Sequence, residues 1–334
     1  MQTPILRITD LETSFHQDEG VIKALDGVNL EVYAGKTLGI VGESGCGKSV
    51  TARSILRILD KSASIDNGQI WLDDGVDAAA VDLVGLPAEG SQIRSIRGGR
   101  IALIFQEPMT SLSPLYTIGS QIIEVILKHR NVTKREAREM AIHYMNEVGI
   151  PQPSSRIDSY SFQLSGGLRQ RVVIAMALAG DPRVLIADEP TTALDVTTQA
   201  QILDLLQRIQ QENNLALILI THDMGVVAEM CDDVAVMYLG RVVEHAPVRT
   251  IFQSPQHPYT RLLLRSIPDI RAAPKSKLPT IEGSVPHPYM RPQGCLFHPR
   301  CPIAESGLCD VEVPKEVHLP MGSRVSCFRT GIPL

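Results

Sequence analysis

The stretch Gly42-Glu43-Ser44-Gly45-Cys46-Gly47-Lys48-Ser49, "GESGCGKS", limits what this chain can fold into more than any other. It fits the pattern G-x-x-x-x-G-K-[ST]. It follows the apolar run "TLGIV" and precedes "VTARSILRIL", whose apolar residues recur three and four apart as in a helix. Strand, glycine loop, helix is the context in which this pattern cradles phosphate. The glycines let backbone N–H groups turn inward, and the new helix adds its positive N-terminal end. Lys48 is placed to reach β- and γ-phosphates and the Ser49 hydroxyl to hold Mg²⁺. The expected nucleoside triphosphate site therefore comprises Gly42, Ser44, Gly45, Cys46, Gly47, Lys48, Ser49 and Val50.

Two further stretches fit the same chemistry. In "RVLIADEP" four apolar residues, Val184 to Ala187, end in Asp188 and Glu189. A buried strand ending this way puts Asp188 in reach of the Mg²⁺ shell, and Glu189 in reach of a water aimed at the γ-phosphate. Upstream, "LSGGLRQRVVIAMALAGDP" opens an apolar helix with Ser165, Gly166 and Gly167, a second anion-binding device of backbone and hydroxyl donors. One molecule seldom needs two phosphate cradles for one nucleotide. Two molecules facing head to tail do, each covering the other's nucleotide.

Along the chain, β-rich runs with Asp-Gly and Ala-Gly turn signals come first. A helical block follows from about residue 115 to 180, and strand–helix alternation then resumes through "RVLIADE", "LALILITHD" and "DVAVMYLG". This order predicts an α/β fold: a parallel sheet covered by helices, with an inserted helical subdomain. After about residue 250 the chain becomes proline-rich and loses regular period, and four of its six cysteines lie there. A net charge of −5 argues against broad electrostatic binding to nucleic acid. No apolar run has the length of a membrane span, and "MQTPILRITDLETSF" lacks the basic start and apolar core of a signal peptide. The expected setting is the cytoplasm.

With these motifs in this order, the chain resembles the nucleotide-binding subunits of ATP-binding-cassette (ABC) proteins over residues 1 to about 250. The resemblance also takes in Gln106 in "LIFQEP", Asp195 ending "TTALD" and His222 in "LITHD". It implies an ABC-type P-loop ATPase core with an N-terminal antiparallel β subdomain and a helical subdomain at about 107–180. By the same resemblance, Gln106 senses Mg²⁺ and the attacking water, and joins Ser49 and Asp188 around the metal. His222 contacts the γ-phosphate, Asp195 sits on a dimer seam, and Phe15 stacks on adenine. Glu189 is the base. One position departs from the pattern: Leu168 stands where a glutamine commonly ends the signature. With Ser165 and both glycines present, only a peripheral contact is expected to be lost.

"QEPMTSLSPLYTIGSQI" and "SPQHPYTRLLLRSIP" are similar to the ATPase subunits of bacterial dipeptide and oligopeptide importers, in which "HPYT" begins a C-terminal extension. Residues 251–334 are assigned to that extension. The family implies two membrane permeases, with segment 107–165 receiving their coupling helices, and a second ATPase subunit, a paralogue or a copy of this chain. It also implies an extracytoplasmic solute-binding protein and a peripheral place on the cytoplasmic face of the bacterial inner membrane. Peptide, opine, sugar and nickel systems share this ATPase type, so the solute stays open. A soluble ABC ATPase acting on ribosomes or DNA is the alternative; single motifs, no long heptad insert and an acidic balance speak against it.

Cys295, Cys301, Cys309 and Cys327 are spaced C-x5-C-x7-C-x17-C, without the C-x2-C knuckles typical of zinc fingers. Four thiolates can hold zinc or an iron–sulfur cluster, and unliganded thiols remain a third reading. Importer subunits with this cysteine set look like [4Fe–4S] proteins, so the resemblance implies that cluster, with zinc as the alternative. Cys46 and Cys231 read as ordinary loop and helix-end residues, and His298 as a surface histidine.

Overall fold

Alternation in "LRITDLETSFHQ" becomes strand β1 (Leu6–Gln17), where Leu6, Ile8, Leu11 and Thr13 are buried. The buried phase slips by one residue at Asp10, whose φ is 47°. An extra residue of this kind lets a strand bend while keeping its apolar side inward. The computed structural model describes residues 2–77, 79–106, 111–267 and 280–333. Residues 107–110, where the helical insert is expected to open, and the stretch 268–279 lie outside the described residues.

The chain divides into two compact units. One comprises Met1–Leu6, Glu31–Thr37 and Trp71–Ile220; the other comprises Arg7–Leu30, Leu38–Ile70 and Thr221–Leu334.

The first unit carries the parallel strands β6 (Ile101–Ile104), β7 (Val184–Asp188) and β8 (Ala216–Ile220). Ile101 lies opposite Val184, and Asp188 opposite Ile220. Every residue of β7 and β8 is buried, as expected of parallel strands covered on both faces. Its helices include α2 (Ser91–Ile96), α3 (Ile118–His129), α4 (Lys134–Glu147), the single turn α5 (Pro153–Arg156), α6 (Gly166–Leu178) and α7 (Val196–Glu212). Helix α3 buries Ile118, Ile122 and Ile126, and α4 buries Ala137, Ala141 and Met145; each set recurs every four residues along one face. A capping box starts α4: the Glu136 N–H donates to the Thr133 hydroxyl (3.3 Å), and the Thr133 N–H to the Glu136 carboxylate (2.7 Å). The predicted helical block is thus present, interrupting the strands.

In the second unit β1 neighbours β2 (Gly20–Val32) and β4 (Ala63–Leu72). The connection between β1 and β2, Asp18-Glu19, is short enough to require an antiparallel pair. The short strand β5 (Val81–Asp82), which belongs to the first unit, pairs antiparallel with Trp71 and Leu72. Strand β3 (Thr37–Val41) runs parallel to β9 (Asp233–Tyr238), and helices α1 (Lys48–Ile55) and α8 (Met224–Met230) belong to this unit. Strand β10 (Arg241–Pro247) returns antiparallel to β9 through Leu239-Gly240, both with positive φ. Helices α9 (Val248–Gln253) and α10 (Pro258–Arg265) follow. The tail then adds two antiparallel strands, β11 (Val317–His318) and β12 (Arg324–Val325), with Val325 opposite Glu244. Two-residue strands show no period in sequence. The tail therefore reads as irregular until its pairing with β10 is seen.

Candidate nucleotide-binding site

The loop Gly42–Gly47 leaves β3 and enters α1, the strand–loop–helix order expected from the sequence. At Gly42, with φ 151°, a Cβ would lie 2.2 Å from the Met237 carbonyl oxygen; at Gly47, with φ 104°, it would lie 2.8 Å from that of Ala24. No side chain fits either place, so these two glycines are fixed by space as well as by backbone angle. Gly45 and Ser44 are exposed, and Ser49 and Val50 are half-buried in the first turn of α1. Lys48 is buried, and its Nζ donates to the carbonyls of Gly42 (2.7 Å) and Glu43 (3.1 Å). Cys46 is buried and burial pushes its thiol up, which marks it as a small apolar filler. Cys231 caps the end of α8, with burial pushing its thiol up to about 12; its sulfur would lie 2.7 Å from a Cβ on Gly39.

His222 belongs to this same unit and is exposed. The preceding Thr221 donates its N–H to the Ile40 carbonyl (3.3 Å), so His222 emerges beside the strand that feeds the loop. Phe15 is half-buried on β1. It shares a strand face with Thr13, whose hydroxyl meets that of Ser54 in α1 at 3.2 Å.

The first unit gathers the other predicted groups. Asp188 is buried at the end of β7. Glu189 follows it with φ 46°, in the left-handed region that residues other than glycine rarely take. Its N–H is held by the Ile220 carbonyl at 2.9 Å. The Gln106 Nε2 donates to Glu189 Oε2 at 2.8 Å, and the Thr192 hydroxyl to the same oxygen at 3.0 Å. Strained backbone of this sort persists where surrounding contacts over-determine it. Thr192 escaped the sequence reading although it stands inside "TTALD"; only the turn after β7 brings its hydroxyl back to Glu189.

Ser165 is the N-cap of α6, its hydroxyl accepting the Leu168 N–H at 3.4 Å. Leu168 thus supplies the capped backbone group, which any residue at that position provides. A Cβ on Gly167 would lie 2.5 Å from Thr198 Cγ2, whereas Gly166 has ordinary space around it. Asp195 is the exposed N-cap of α7, accepting from the Thr198 N–H (3.0 Å) and hydroxyl (2.7 Å). The Thr198 hydroxyl and N–H hold its carboxyl below the usual range. Asp195 and Gly167 therefore share Thr198, a link that no single motif reveals.

The C-terminal residues contribute groups missed in sequence. Tyr259 accepts the Glu43 N–H on its hydroxyl at 2.9 Å, and Arg300 forks onto both Glu43 carboxylate oxygens at 2.7 and 3.0 Å. "HPYT" and the cysteine set signalled this region, but neither Tyr259 nor Arg300 is near the loop in sequence. Cys295, Cys301, Cys309 and Cys327 are free thiols. Burial raises the thiols of Cys295 and Cys301, and pushes that of Cys327 up to about 11. His298 is half-buried beside them, with Nδ1 3.0 Å from the Cys295 carbonyl. Among the described residues no group of three or more His, Cys, Asp or Glu is arranged to hold a metal ion.

An ABC transporter family model matches residues 25–192, and a model described as the C-terminal region of oligopeptide/dipeptide transporters matches residues 243–309. A Sinorhizobium fredii protein named as a probable peptide ABC transporter ATP-binding protein is 48% identical over 327 residues, covering 98% of this chain and 95% of its own length. A Brucella melitensis protein named for peptide import ATP binding is 48% identical over 334 residues, covering 98% and 97%. Among solved structures, the ATP-binding cassette MJ0796, a dimer in a post-hydrolysis state bound to ADP and Pi, superposes with a TM-score of 0.63. It is 27% identical and covers 73% of this chain and 99% of its own. The cbiO1 protein of Clostridium perfringens, part of an ABC transporter complex, superposes with a TM-score of 0.62 at 27% identity, covering 76% and 92%.

Proposed function

The chain belongs to the ABC transporter ATPases, and on that premise we propose that it binds and hydrolyses ATP to power peptide import through membrane permeases. The observation that carries the hydrolytic part is the Glu189 carboxylate, held by Gln106 and Thr192 on a strained turn at the end of a buried strand. A carboxylate fixed in this way suits a base that takes a proton from attacking water. The loop of Gly42–Val50 would cradle the phosphates, with Lys48 leaving the Gly42 and Glu43 carbonyls for them. Ser49, Gln106 and Asp188 would share Mg²⁺, and the ion would neutralise charge on the β- and γ-oxygens. His222 would contact the γ-phosphate and Phe15 the adenine.

Ser165, Gly166, Gly167 and Asp195 would face a second cassette, closing head to tail over its nucleotide. Exposed Val196, beside Asp195, supplies apolar surface for that seam. A paralogous subunit is the favoured partner, with this chain itself as the alternative. ATP favours the closed pair by binding it more tightly, which shifts the permeases between their two states. The same proposal puts the chain at the periphery of the membrane, on its cytoplasmic face; among the described residues no helix is long and apolar enough to cross a membrane.

For the four cysteines the proposal is a [4Fe–4S] cluster, with zinc as the alternative. A tetrahedral zinc site with Zn–S near 2.3 Å brings its sulfurs to about 3.8 Å from one another. The cluster is put first on the resemblance alone, carried by the cysteine set Cys295, Cys301, Cys309 and Cys327. Iron and sulfide analysis after anaerobic purification tests this, and colourless, zinc-loaded protein would sink the cluster.

The function is tested by pulling tagged chain from solubilised membranes and identifying everything retained. Two permeases and a second ATPase are expected. Recovery of ribosomes or DNA-repair proteins instead would overturn the importer reading.

A further inference from the structure

Glu43 is an awkward residue for a phosphate loop, because it adds a negative charge one position after Gly42 where an anion is to bind. Its surroundings in the second unit answer that charge. Arg300 forks onto both carboxylate oxygens, and its side chain is only 4% exposed. The guanidinium is itself fixed from behind: Nε donates to the Glu282 carbonyl at 3.1 Å and Nη1 to the Tyr238 hydroxyl at 3.4 Å. The bond to Glu43 leads the causes that hold the Arg300 pKa above its usual range. A planar fork of this kind fixes geometry as well as charge.

The backbone of Glu43 is held separately. Its N–H donates to the Tyr259 hydroxyl, and the Tyr259 ring is packed with Tyr238 and Phe297 at centroid distances of 4.8 and 5.3 Å. All three rings are at most 1% exposed. Tyr259 is anchored in turn by "HPYT": His257 caps α10 by accepting the Tyr259 N–H on Nδ1 (3.1 Å), and buried Glu244 accepts the His257 N–H (2.9 Å). Three of the eight residues Gly42–Ser49 are glycine, so ordering this loop costs more backbone entropy than ordering most segments. Contacts that hold it before a ligand arrives reduce the ordering left to binding.

We propose that Arg300 and Tyr259 are positioning residues that hold Glu43, and through it the phosphate loop, so that the C-terminal region sets nucleotide affinity. The inference rests on the loop binding nucleotide. It goes further by assigning a role in that binding to residues more than 200 positions away.

The test measures Kd for ATPγS with Mg²⁺ by calorimetry on the full chain, with the Tm of each variant taken without nucleotide. Arg300→Gln is expected to weaken binding about tenfold, and Tyr259→Phe, which keeps the ring, by roughly threefold. Once Glu43→Gln is present, adding Arg300→Gln is expected to change Kd less than about twofold, since the pair is already broken. Affinity within about twofold of native in both single variants would overturn the proposal, as would losses from Glu43→Gln and Arg300→Gln that simply multiply. A purely structural role would lower Tm and leave Kd unmoved, which also overturns it. If Arg300→Gln does not fold, Tyr259→Phe decides alone. Native chain that binds no ATPγS would remove the nucleotide reading itself and this inference with it.

Discussion

At the scale of single residues, the candidate chemistry rests on what Glu189 and Lys48 touch. Glu189→Gln is expected to lower the hydrolytic rate by about 10²- to 10⁴-fold, the usual contribution of a general base, while ATP still binds. A variant hydrolysing at the native rate would show that the base lies elsewhere. Lys48→Ala acts at a different step: it should weaken nucleotide binding itself, measured as Kd. Thr192→Val keeps the volume but removes the 3.0 Å hydroxyl contact to Glu189. The loss of one such bond, about 1 kcal/mol, corresponds to roughly fivefold in kcat with binding unchanged. Thr192 is the more informative position, because the sequence motif offers no reason to expect its hydroxyl at the carboxylate.

At the scale of elements, Gly167 shows how one residue answers to two demands. As a donor at the start of α6 it suits an anion; as a glycine it lets α6 approach α7, since a Cβ would press within 2.5 Å of Thr198 Cγ2. Gly167→Ala should therefore destabilise the chain by about 1–3 kcal/mol. Adding Thr198→Ser removes that methyl, keeps the hydroxyl on Asp195, and should restore most of the loss in urea unfolding. If Thr198→Ser restores nothing, the glycine is fixed by something other than this contact. Capping gives a second element-scale outcome: Thr133→Ala should cost about 1 kcal/mol by opening the box at the start of α4.

At the scale of the whole molecule, two buried histidines bear on acid stability. Burial brings both His257 and His245 down to about 3, with Arg261 and Arg324 respectively adding to the effect. In the unfolded chain each titrates near 6.5. Below that value the unfolded state binds protons that the native state refuses. Stability is therefore intact above about pH 6.5 and falls as pH drops toward 3, by up to about 1.4 kcal/mol per pH unit for each histidine. Glu244, which faces His257, works the other way: burial holds its carboxyl above the usual range, so the native state gains a proton first in that window. His257→Asn keeps an acceptor for the Tyr259 N–H and cannot titrate. Urea unfolding between pH 7.5 and 5 should show a shallower loss in this variant. An unchanged slope would mean that His257 takes up its proton in the native state as readily as in the unfolded chain.

The sequence by itself determined what is local or periodic. The G-x-x-x-x-G-K-[ST] spacing placed Gly42–Gly47 between β3 and α1, the apolar runs became the fully buried β7 and β8, and four-residue recurrence became α3 and α4. These features follow from nearest neighbours, strand pleat and helix pitch, which act over a few residues. Tertiary structure alone decided what joins positions far apart in the chain: Gln106 on Glu189, Thr198 against Gly167, β12 on β10, and Arg300 and Tyr259 on Glu43. None of these leaves a period or a spacing to read. A long-range contact depends on the path of the backbone between its partners, and composition and local propensity do not encode that path.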